Sequence, residues 1–460
     1  MSGLHATWSS RAGFMFATIG FSVGLGNIWR FPWLAGENGG GAFVLIYLCC
    51  VALITLPIVI AELSIGRRGG LTPAASMRKL ALAEGKSPKW AVGGWIAMGS
   101  AFLIGTFYCV IGGWTLAYIL YAASGRLAGI DTAGAQALFD GLMASPAVLI
   151  FWTLLFLLAN VLIVERGLQK GVERATTILM PLLFLMLIGL CILALAKGDA
   201  AAGLGFLFVP DFSVVKPGTW LAALGQAFFS VGVGMAGMML YGAYLPKDVK
   251  IPGTAAVVAS ADTLVAILAG VAIFPFLFAQ GLQPAQGPGL VFVVMPVALQ
   301  GTGIASFALA VFFALLAVAA LTSMIAFFEL VAAWGEERGW KRRKTVWTMG
   351  SASAAFGLLT VFSLNLAADF HPLGFLPGFG EKTMFDVIDW LTSNLGLTLA
   401  GLVSALFAGW VLSANSAADE LGVDLANPIF RLWRLLVRWV VPATIIVLIC
   451  SAIWGLGQAN

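Results

Sequence analysis

The stretch Gly20-Phe-Ser-Val-Gly-Leu-Gly-Asn27, followed by Ile-Trp-Arg30-Phe-Pro32, interrupts the first long apolar run of the chain. Glycine disfavours a helix because of its backbone freedom, and proline lacks the backbone donor that a helix needs. A charged side chain such as that of Arg30 costs about 3 kcal/mol or more at the centre of a membrane helix. These residues therefore predict a membrane span that unwinds near its middle.

A second stretch repeats this pattern. Phe229-Ser-Val-Gly-Val-Gly-Met235 matches residues 21–27 at five of seven positions, and each stretch opens a block of five apolar segments. An odd number of spans inverts the second block, so we expect inverted repeats over about 8–198 and 217–416, with a last span near 434–457. Unwinding would free carbonyls for a cation and N–H groups for a carboxylate. Two matched breaks predict a binding site at mid-membrane, whereas close helix packing through glycine is the simpler alternative.

The composition indicates that the whole chain lies in a bilayer. Of 460 residues, 60% are hydrophobic and 10% are charged, and the mean hydropathy is +0.98. Segments that can cross roughly 30 Å of hydrocarbon as helices recur throughout. We predict an all-α integral membrane protein with a single transmembrane domain over 1–460. Its eleven spans would be 12–35, 41–64, 91–123, 147–164, 174–196, 219–244, 254–281, 302–334, 346–364, 388–414 and 436–457.

The positions of Lys and Arg orient these spans. With the N-terminus in the cytoplasm, 20 of the 25 Lys and Arg residues are cytoplasmic; the others are Arg30, Arg126, Lys197, Lys216 and Lys382. Such an excess marks the cytoplasmic side. The chain would then sit in a plasma membrane, the inner membrane of a bacterium, with its C-terminus outside. We expect no cleavable signal peptide.

Several motifs carry a resemblance to a known family. They are Trp8, Gly24-Leu-Gly-Asn27, Arg30-Phe-Pro32, Glu37-Asn-Gly-Gly-Gly-Ala-Phe43, Glu62, Tyr108 with Trp114, Gly225-Gln-Ala-Phe-Phe229, Leu321-Thr-Ser323 and Asp389. With these motifs the chain resembles the neurotransmitter:sodium symporter family, and its bacterial amino-acid transporters in particular. The resemblance implies sodium-driven uptake of an amino acid by alternating access, without an organic cofactor. It implies nothing about oligomeric state.

The resemblance also implies two sodium sites built from oxygen atoms. The first would use the Ser22 carbonyl, Asn27, Ser230, Asp262 and the substrate carboxylate. The second would use the carbonyls of Gly20, Val23 and Ala319 with the hydroxyls of Thr322 and Ser323. Oxygen ligands suit a hard cation. Without the resemblance, the two hydroxyls could equally bond to carbonyls of their own helix.

The substrate would bind beside the first sodium site. The resemblance places its carboxylate against the N–H groups of Leu25 and Gly26 and the hydroxyl of Tyr108. Gly24 stands where monoamine-carrying relatives have an aspartate, which favours an amino acid. The pocket would also contain Ser22, Ile104, Phe229, Ser230, Gly232, Met235, Ser323 and Phe327. Gly232 replaces a bulkier residue, so we expect an enlarged pocket for a hydrophobic amino acid, aromatic ones included. Met235 and Phe327 could equally be packing residues.

Asp262 distinguishes the chain from many relatives. It is the only acidic residue between Asp248 and Glu329 and lies within an apolar span. A carboxylate there is costly unless it faces a cation. Chloride-dependent relatives have Asn near this point, whereas Asp262 supplies a fixed negative charge, so we predict transport without chloride. A structural Asp bonded to neighbouring hydroxyls is the alternative.

Two gates are implied by the resemblance. Arg30 and Asp389 match an outer pair that closes above Phe229 and Tyr108, and Trp8 and Tyr244 match an inner plug. Relatives also pair an inner Arg with an Asp. This chain has His5 and Glu337 at those positions, so the inner latch differs and could respond to pH.

Other functions are open to test. Asp262 or Glu62 could titrate in a proton-coupled carrier, and a receptor could keep the pocket without transport. A membrane enzyme is disfavoured, because the only histidines are His5 and His371 and no nucleophile–base arrangement occurs.

Overall fold

The computed structural model describes residues 7–283, 287 and 289–458, and the regular secondary structure of this part is helical. The helices, in chain order, are α1 (Arg11–Ser22), α2 (Gly26–Glu37), α3 (Gly41–Gly69), α4 (Pro73–Ala83), α5 (Pro88–Ala123), α6 (Thr132–Met143), α7 (Pro146–Val164), α8 (Leu168–Lys197), α9 (Ala200–Phe208), α10 (Pro217–Val231), α11 (Gly237–Ala243), α12 (Ile251–Ala279), α13 (Leu290–Thr302), α14 (Ala305–Glu336), α15 (Arg342–Ser363), α16 (Met384–Val411), α17 (Ala414–Leu421) and α18 (Pro428–Gly455). The all-α class predicted from the apolar runs is confirmed.

Within the described residues, nine helices are long and apolar enough to cross a membrane. The helices α1 and α2 make a tenth span if the bent pair is counted as one, with an angle of 50° between them. The remaining predicted span, 219–244, is divided between α10 and α11, and neither is long enough to span by itself.

The first break is shorter than the sequence suggests. The helix continues through Ser22, and only residues 23–25 separate α1 from α2. Gly20 stays helical and buried. A Cβ there would lie 3.1 Å from Met180 Sδ and 3.2 Å from Thr322 Cβ. The glycine at this position therefore serves close packing of α1 against α8 and α14 rather than unwinding.

The second break covers residues 232–236, between α10 and α11. Gly232 has φ +74° and Gly234 has φ +77°, a left-handed conformation that glycine adopts without steric cost. Ala236 shares this conformation with φ +64° and is strained there. Three residues at alternate positions in this break therefore have a left-handed backbone conformation, which interrupts the helix between α10 and α11.

Glu62 on α3 holds the second break in place. Its Oε1 accepts from the Gly234 N–H at 3.0 Å and from Ser404 Oγ at 3.2 Å. A Cβ at Gly234 would lie 2.3 Å from the Leu397 carbonyl oxygen, so the break also touches α16 closely. One carboxylate thus supplies an acceptor to a backbone group that the break leaves without a helical partner.

The two breaks lie at the centre of the bundle. The helices α5 and α14 pack against each other and are mostly buried, and α1 packs against α8, α12 and α14. By contrast, α7, α8 and α18 leave most of their apolar surface exposed, as expected for helices that face lipid. The site described below is enclosed by α1, α2, α5, α10, α12 and α14.

Candidate functional site

Three polar side chains meet beside the first break. The Asn27 amide nitrogen lies 2.8 Å from Asp262 Oδ1 and 2.8 Å from Ser230 Oγ, and Ser230 Oγ donates to Asp262 Oδ2 at 2.6 Å. All three are buried, and Asp262 is fully so. None of the ion pairs in the described part of the chain includes Asp262. A buried carboxylate without a cationic side chain is stabilised by a bound cation.

Tyr47 and Gln226 flank this cluster. The Tyr47 hydroxyl lies 3.3 Å from Ser230 Oγ, and the Gln226 amide donates to the Gly26 carbonyl at 2.8 Å. The Asn27 side-chain oxygen accepts from the Gly24 N–H at 3.0 Å. These contacts fix α2 against α10, so the predicted residues of the first ion site form one network. The Ser22 hydroxyl donates to the Thr18 carbonyl of α1; the predicted ion ligand at this residue is its backbone carbonyl, which stays a prediction.

The residues predicted for the second ion site also converge. Ser323 Oγ on α14 lies 3.2 Å from the Phe21 carbonyl oxygen and 3.5 Å from that of Gly20. Thr322 behaves differently, because its hydroxyl bonds to the Val318 and Ala319 carbonyls of its own helix, each at 3.1 Å. The own-helix alternative therefore describes Thr322, whereas Ser323 joins α14 to α1; sodium ligation by either hydroxyl stays a prediction. Val23 begins the break, and its N–H donates to the Ile19 carbonyl at 2.7 Å.

Two hydroxyls and the Leu25 N–H lie beside Gly24. The Leu25 N–H donates to Tyr108 Oη at 2.9 Å. A Cβ at Gly24 would lie 2.7 Å from Tyr108 Oη and 2.8 Å from Ser323 Oγ, so no side chain fits there. The Leu25 N–H and the hydroxyls of Tyr108 and Ser323 therefore lie together where the resemblance places the substrate carboxylate, and carboxylate binding there stays a prediction.

A small cavity joins these groups. Its volume is about 20 Å³, close to that of one water molecule. It is lined by Phe21, Ser22, Gly24, Gly26, Ile104, Tyr108, Phe229, Ser230, Gly232, Met235, Ser323 and Phe327. This list contains every predicted substrate residue except Leu25 and adds Phe21. An amino acid therefore needs the lining to move before it fits.

The expected enlargement at Gly232 does not occur in this conformation. A Cβ at Gly232 would lie 3.0 Å from Phe21 Cε1, so the ring of Phe21 fills the space that a larger residue would use. Phe21 also packs edge-on against Phe327, with centroids 6.1 Å apart. Glycine is needed at this position mainly for its positive φ.

A larger cavity of about 260 Å³ lies directly beside the small one. Gly26, Tyr108 and Phe229 line both cavities, so they form the wall between them. A Cβ at Gly26 would lie 2.7 Å from Phe229 Cδ1, which shows how closely this ring covers the break. Tyr108 and Phe229 thus lie between the two cavities, below the predicted outer pair, and Leu25 lines the larger cavity.

The predicted outer pair is not joined. Arg30 and Asp389 both line the larger cavity, but no ion pair of the described residues connects them. The Arg30 guanidinium instead lies 4.8 Å from the centroid of Phe229, and Asp389 Oδ1 accepts from Ser393 Oγ at 2.9 Å. The two groups therefore line the same cavity without forming an ion pair.

The opposite side is closed by aromatic rings. Trp8 is buried against Phe14, Tyr241 and Tyr244, with ring centroids 5.8, 5.2 and 6.1 Å away. Tyr244 Oη donates to Glu329 Oε1 at 3.1 Å. Glu329 is in turn ion-paired with Arg342. The predicted plug residues Trp8 and Tyr244 therefore pack together.

The predicted latch between His5 and Glu337 stays a prediction. His5 lies outside the described residues, and Glu337 is occupied by Thr72, whose N–H and hydroxyl both donate to its carboxylate at 2.5 Å. Glu337 therefore anchors the start of α4. The tertiary contact with Thr72, and not the position of Glu337 in the sequence, therefore determines its hydrogen-bond partner.

Glu173 fastens the N-terminal segment instead. Its carboxylate accepts from the Ser9 N–H at 2.9 Å, from Ser9 Oγ at 2.6 Å and from Ser10 Oγ at 3.1 Å. Glu173 is buried, and a Cβ at Gly13 would lie only 1.8 Å from its Oε1. Sequence reasoning missed this residue, although a lone acid between Lys170 and Arg174 was a visible signal.

Broken membrane helices around a buried polar centre are typical of multi-pass membrane transporters. The profile of the sodium:neurotransmitter symporter family matches residues 5–133 and 141–459. The chain belongs to this family, whose members are transporters rather than enzymes, and it is a sodium-dependent symporter.

Individual relatives agree with this assignment. The chain is 37% identical over 451 residues to the uncharacterized sodium-dependent transporter YhdH of Bacillus subtilis, with 97% of each chain covered. It is 34% identical over 453 residues to an uncharacterized sodium-dependent transporter of Haemophilus influenzae, again with 97% of each covered. It is also similar to the crystal structure of MhsT in complex with L-phenylalanine, with a TM-score of 0.88, 40% identity and coverage of 98% of this chain and 100% of that one.

Proposed function

We propose that this protein carries a hydrophobic L-amino acid, aromatic ones included, into a bacterial cell together with sodium. The observation that carries this proposal is the pair of sites around the first break. A carboxylate site at Leu25 and Tyr108 adjoins the buried Asn27–Ser230–Asp262 cluster. The apolar lining from Phe21, Ile104 and Phe327 favours an apolar side chain, and MhsT, which is similar over its whole length, is described with L-phenylalanine.

The coupling would follow from charge. Sodium at the Asp262 cluster neutralises a carboxylate that is otherwise buried without a cation, and the substrate carboxylate completes the same site. The occupied centre can then rearrange without an exposed charge. A second sodium would bind between the carbonyls of α1 and Ser323, supported by the 3.2 and 3.5 Å contacts there.

Eleven spans and an inverted repeat belong to the same proposal. We infer that α10 and α11 cross the membrane together, as α1 and α2 do, which would add an eleventh span to those that pass by length. The repeats would cover about 8–198 and 217–416, and the N-terminus would be cytoplasmic. Single cysteines introduced at Ser9, Asn427 and Gln300 can be labelled from each side of the membrane to test this topology. Ser9 and Asn427 should be labelled from the cytoplasmic side and Gln300 from the outside.

A binding screen tests the substrate. Thermal shift or scintillation proximity with the twenty amino acids, in sodium and in potassium, should give sodium-dependent binding of apolar and aromatic L-amino acids. Binding confined to polar amino acids, or equal binding without sodium, would contradict the proposal. Counterflow in proteoliposomes then separates a transporter from a receptor that binds without turnover.

Chloride should not be required. Asp262 lies within hydrogen-bond distance of Asn27 and Ser230 and supplies a permanent negative charge at the ion site. Uptake should therefore persist when gluconate replaces chloride, and a collapse of uptake would show that an anion is needed after all.

Proton coupling is the second candidate. The observation that favours it is Glu62, whose buried Oε2 has no hydrogen-bond partner among the described residues while Oε1 accepts from the Gly234 N–H at the second break. Protonation at Oε2 would make this buried side chain neutral and so lower the cost of its burial. Sodium-free uptake driven by a pH gradient alone would favour this candidate over sodium coupling.

A further inference from the structure

A groove with aromatic walls is separate from the ion and substrate site and shares no lining residue with it. It has a volume of about 370 Å³ and runs between α5, α14 and α15. Trp95, Met98 and Phe102 of α5 form one wall and Trp334 of α14 another, and Trp340 lies at the mouth. Trp95 is 47% exposed and Trp340 is 48% exposed. The groove therefore opens outward, toward the position that lipid would occupy.

The groove extends along the helices from their ends toward the middle of the bilayer. From Trp95 to Phe102, α5 rises roughly 10 Å, and Phe356 continues the aromatic surface 5.5 Å beyond Phe102. A Cβ at Gly99 would meet no atom within 4 Å, so the floor is open space. Such an elongated apolar trough fits a flexible hydrocarbon chain better than a compact ligand.

Arg338 contacts the aromatic wall of the groove, and two lysines lie next to lining residues along the chain. The Arg338 guanidinium lies 4.1 Å from the ring centroid of Trp334 and 5.9 Å from that of Trp95. The Lys341 carbonyl accepts from the hydroxyl of Thr345, a lining residue, at 3.3 Å. Lys344 precedes another lining residue, Thr348, by four positions, so it lies one turn above it on the same helix face. All three cations are exposed.

These cations are not neutralised by their acidic neighbours. Glu336 pairs with Arg342 at 3.3 Å, and Glu337 accepts from Thr72. In the described part of the chain, no ion pair includes Arg338, Lys341 or Lys344. The Trp334 indole nitrogen is buried beside the groove without a hydrogen-bond partner. The mouth thus has positive charge and an unused donor above an apolar trough.

We propose that this groove binds an anionic phospholipid of the cytoplasmic leaflet, with one acyl chain along Gly99 and Phe102 and the phosphate among Arg338, Lys341 and Lys344. The cytoplasmic assignment rests on the topology proposed above. Charge complementarity selects the occupant, because a second copy of this chain or a neutral lipid would leave the three cations unmatched.

Native mass spectrometry of the whole protein tests this proposal, with added dioleoyl phosphatidylglycerol or dioleoyl phosphatidylcholine. The wild type should retain phosphatidylglycerol preferentially. Each cation near a lipid phosphate contributes about fivefold, so the triple variant R338Q/K341Q/K344Q should lose about a hundredfold of that preference. The variant G99L fills the trough and should reduce retention of both lipids.

A matched variant controls for net charge. R166Q/K170Q/R343Q also removes three exposed cations from the same side of the protein but leaves the groove intact. It should keep the preference for phosphatidylglycerol. Equal loss in both triple variants, or full retention in R338Q/K341Q/K344Q, would overturn the proposal. If G99L does not fold, the two charge variants decide alone.

Soluble glycerol phosphate separates a lipid from a free phosphate ligand. It should not displace phosphatidylglycerol, since the acyl chain supplies much of the binding; complete displacement at equal concentration would overturn the acyl-chain assignment. Lipid occupancy is measured without transport, so failure of sodium-coupled uptake would leave this result unaffected.

Discussion

Removing the charge of Glu173 should loosen the closed side of the transporter. The carboxylate accepts three hydrogen bonds from Ser9 and Ser10, one of them from the Ser9 backbone N–H at 2.9 Å. The variant Glu173→Gln keeps the shape of the side chain but replaces one acceptor oxygen with a donor. A hydrogen bond to a charged group contributes about 1.5–3 kcal/mol. The closed conformation should become less stable by about that amount.

Hydrogen–deuterium exchange measures this loss directly. A change of about 1.5–3 kcal/mol corresponds to roughly 10- to 150-fold in an equilibrium constant. The amide of Ser9 should therefore exchange about 10- to 150-fold faster in Glu173→Gln than in the wild type. Substrate affinity should fall as well if binding requires the closed inner side, because a smaller fraction of the protein is then competent.

Two further variants make this prediction sharp. Gly13→Ala places a methyl group 1.8 Å from the Glu173 Oε1 position, so it should also speed exchange at Ser9 although it leaves the carboxylate in place. Glu165→Gln is the control: this carboxylate accepts from the Trp347 indole at 2.7 Å and does not touch the N-terminal segment. Wild-type exchange at Ser9 in Glu173→Gln would refute the reasoning.

Three other substitutions have defined consequences. Asp262→Asn removes the buried negative charge and should weaken sodium binding by about 3–5 kcal/mol. Titration of substrate binding with sodium measures this loss, and added chloride should restore part of the sodium affinity. Gly24→Ala places a methyl group 2.7 Å from Tyr108 Oη, so Tyr108 must move and substrate affinity should fall at least about tenfold in an equilibrium binding assay. Gly234→Ala combines φ +77° with a 2.3 Å approach to the Leu397 carbonyl oxygen. It should destabilise the protein by about 1–3 kcal/mol, seen as a lower Tm; an unchanged Tm would contradict the strain.

Much of the site was visible in the sequence because its determinants are local. Gly24, Leu25 and Asn27 lie within one turn of each other, and the matching stretch near Gly232 has the same pattern. Eleven of the twelve residues that line the small cavity were predicted. The twelfth, Phe21, was missed because its ring direction depends on the rotamer and on the neighbouring Phe327.

The apolar runs, the two glycine-rich breaks and the distribution of Lys and Arg are properties of short segments, and the sequence alone determined them. The partner of each polar side chain was decided only by the tertiary structure. Glu173 bonds to Ser9, 164 positions away, and Glu337 bonds to Thr72, 265 positions away. The sequence shows which polar residues could form such hydrogen bonds, but it does not show which of them lie close together in the fold. The structure confines the first break to residues 23–25, a shorter stretch than the sequence predicts. Packing against α8 and α14 keeps Gly20 helical, although glycine by itself disfavours a helix.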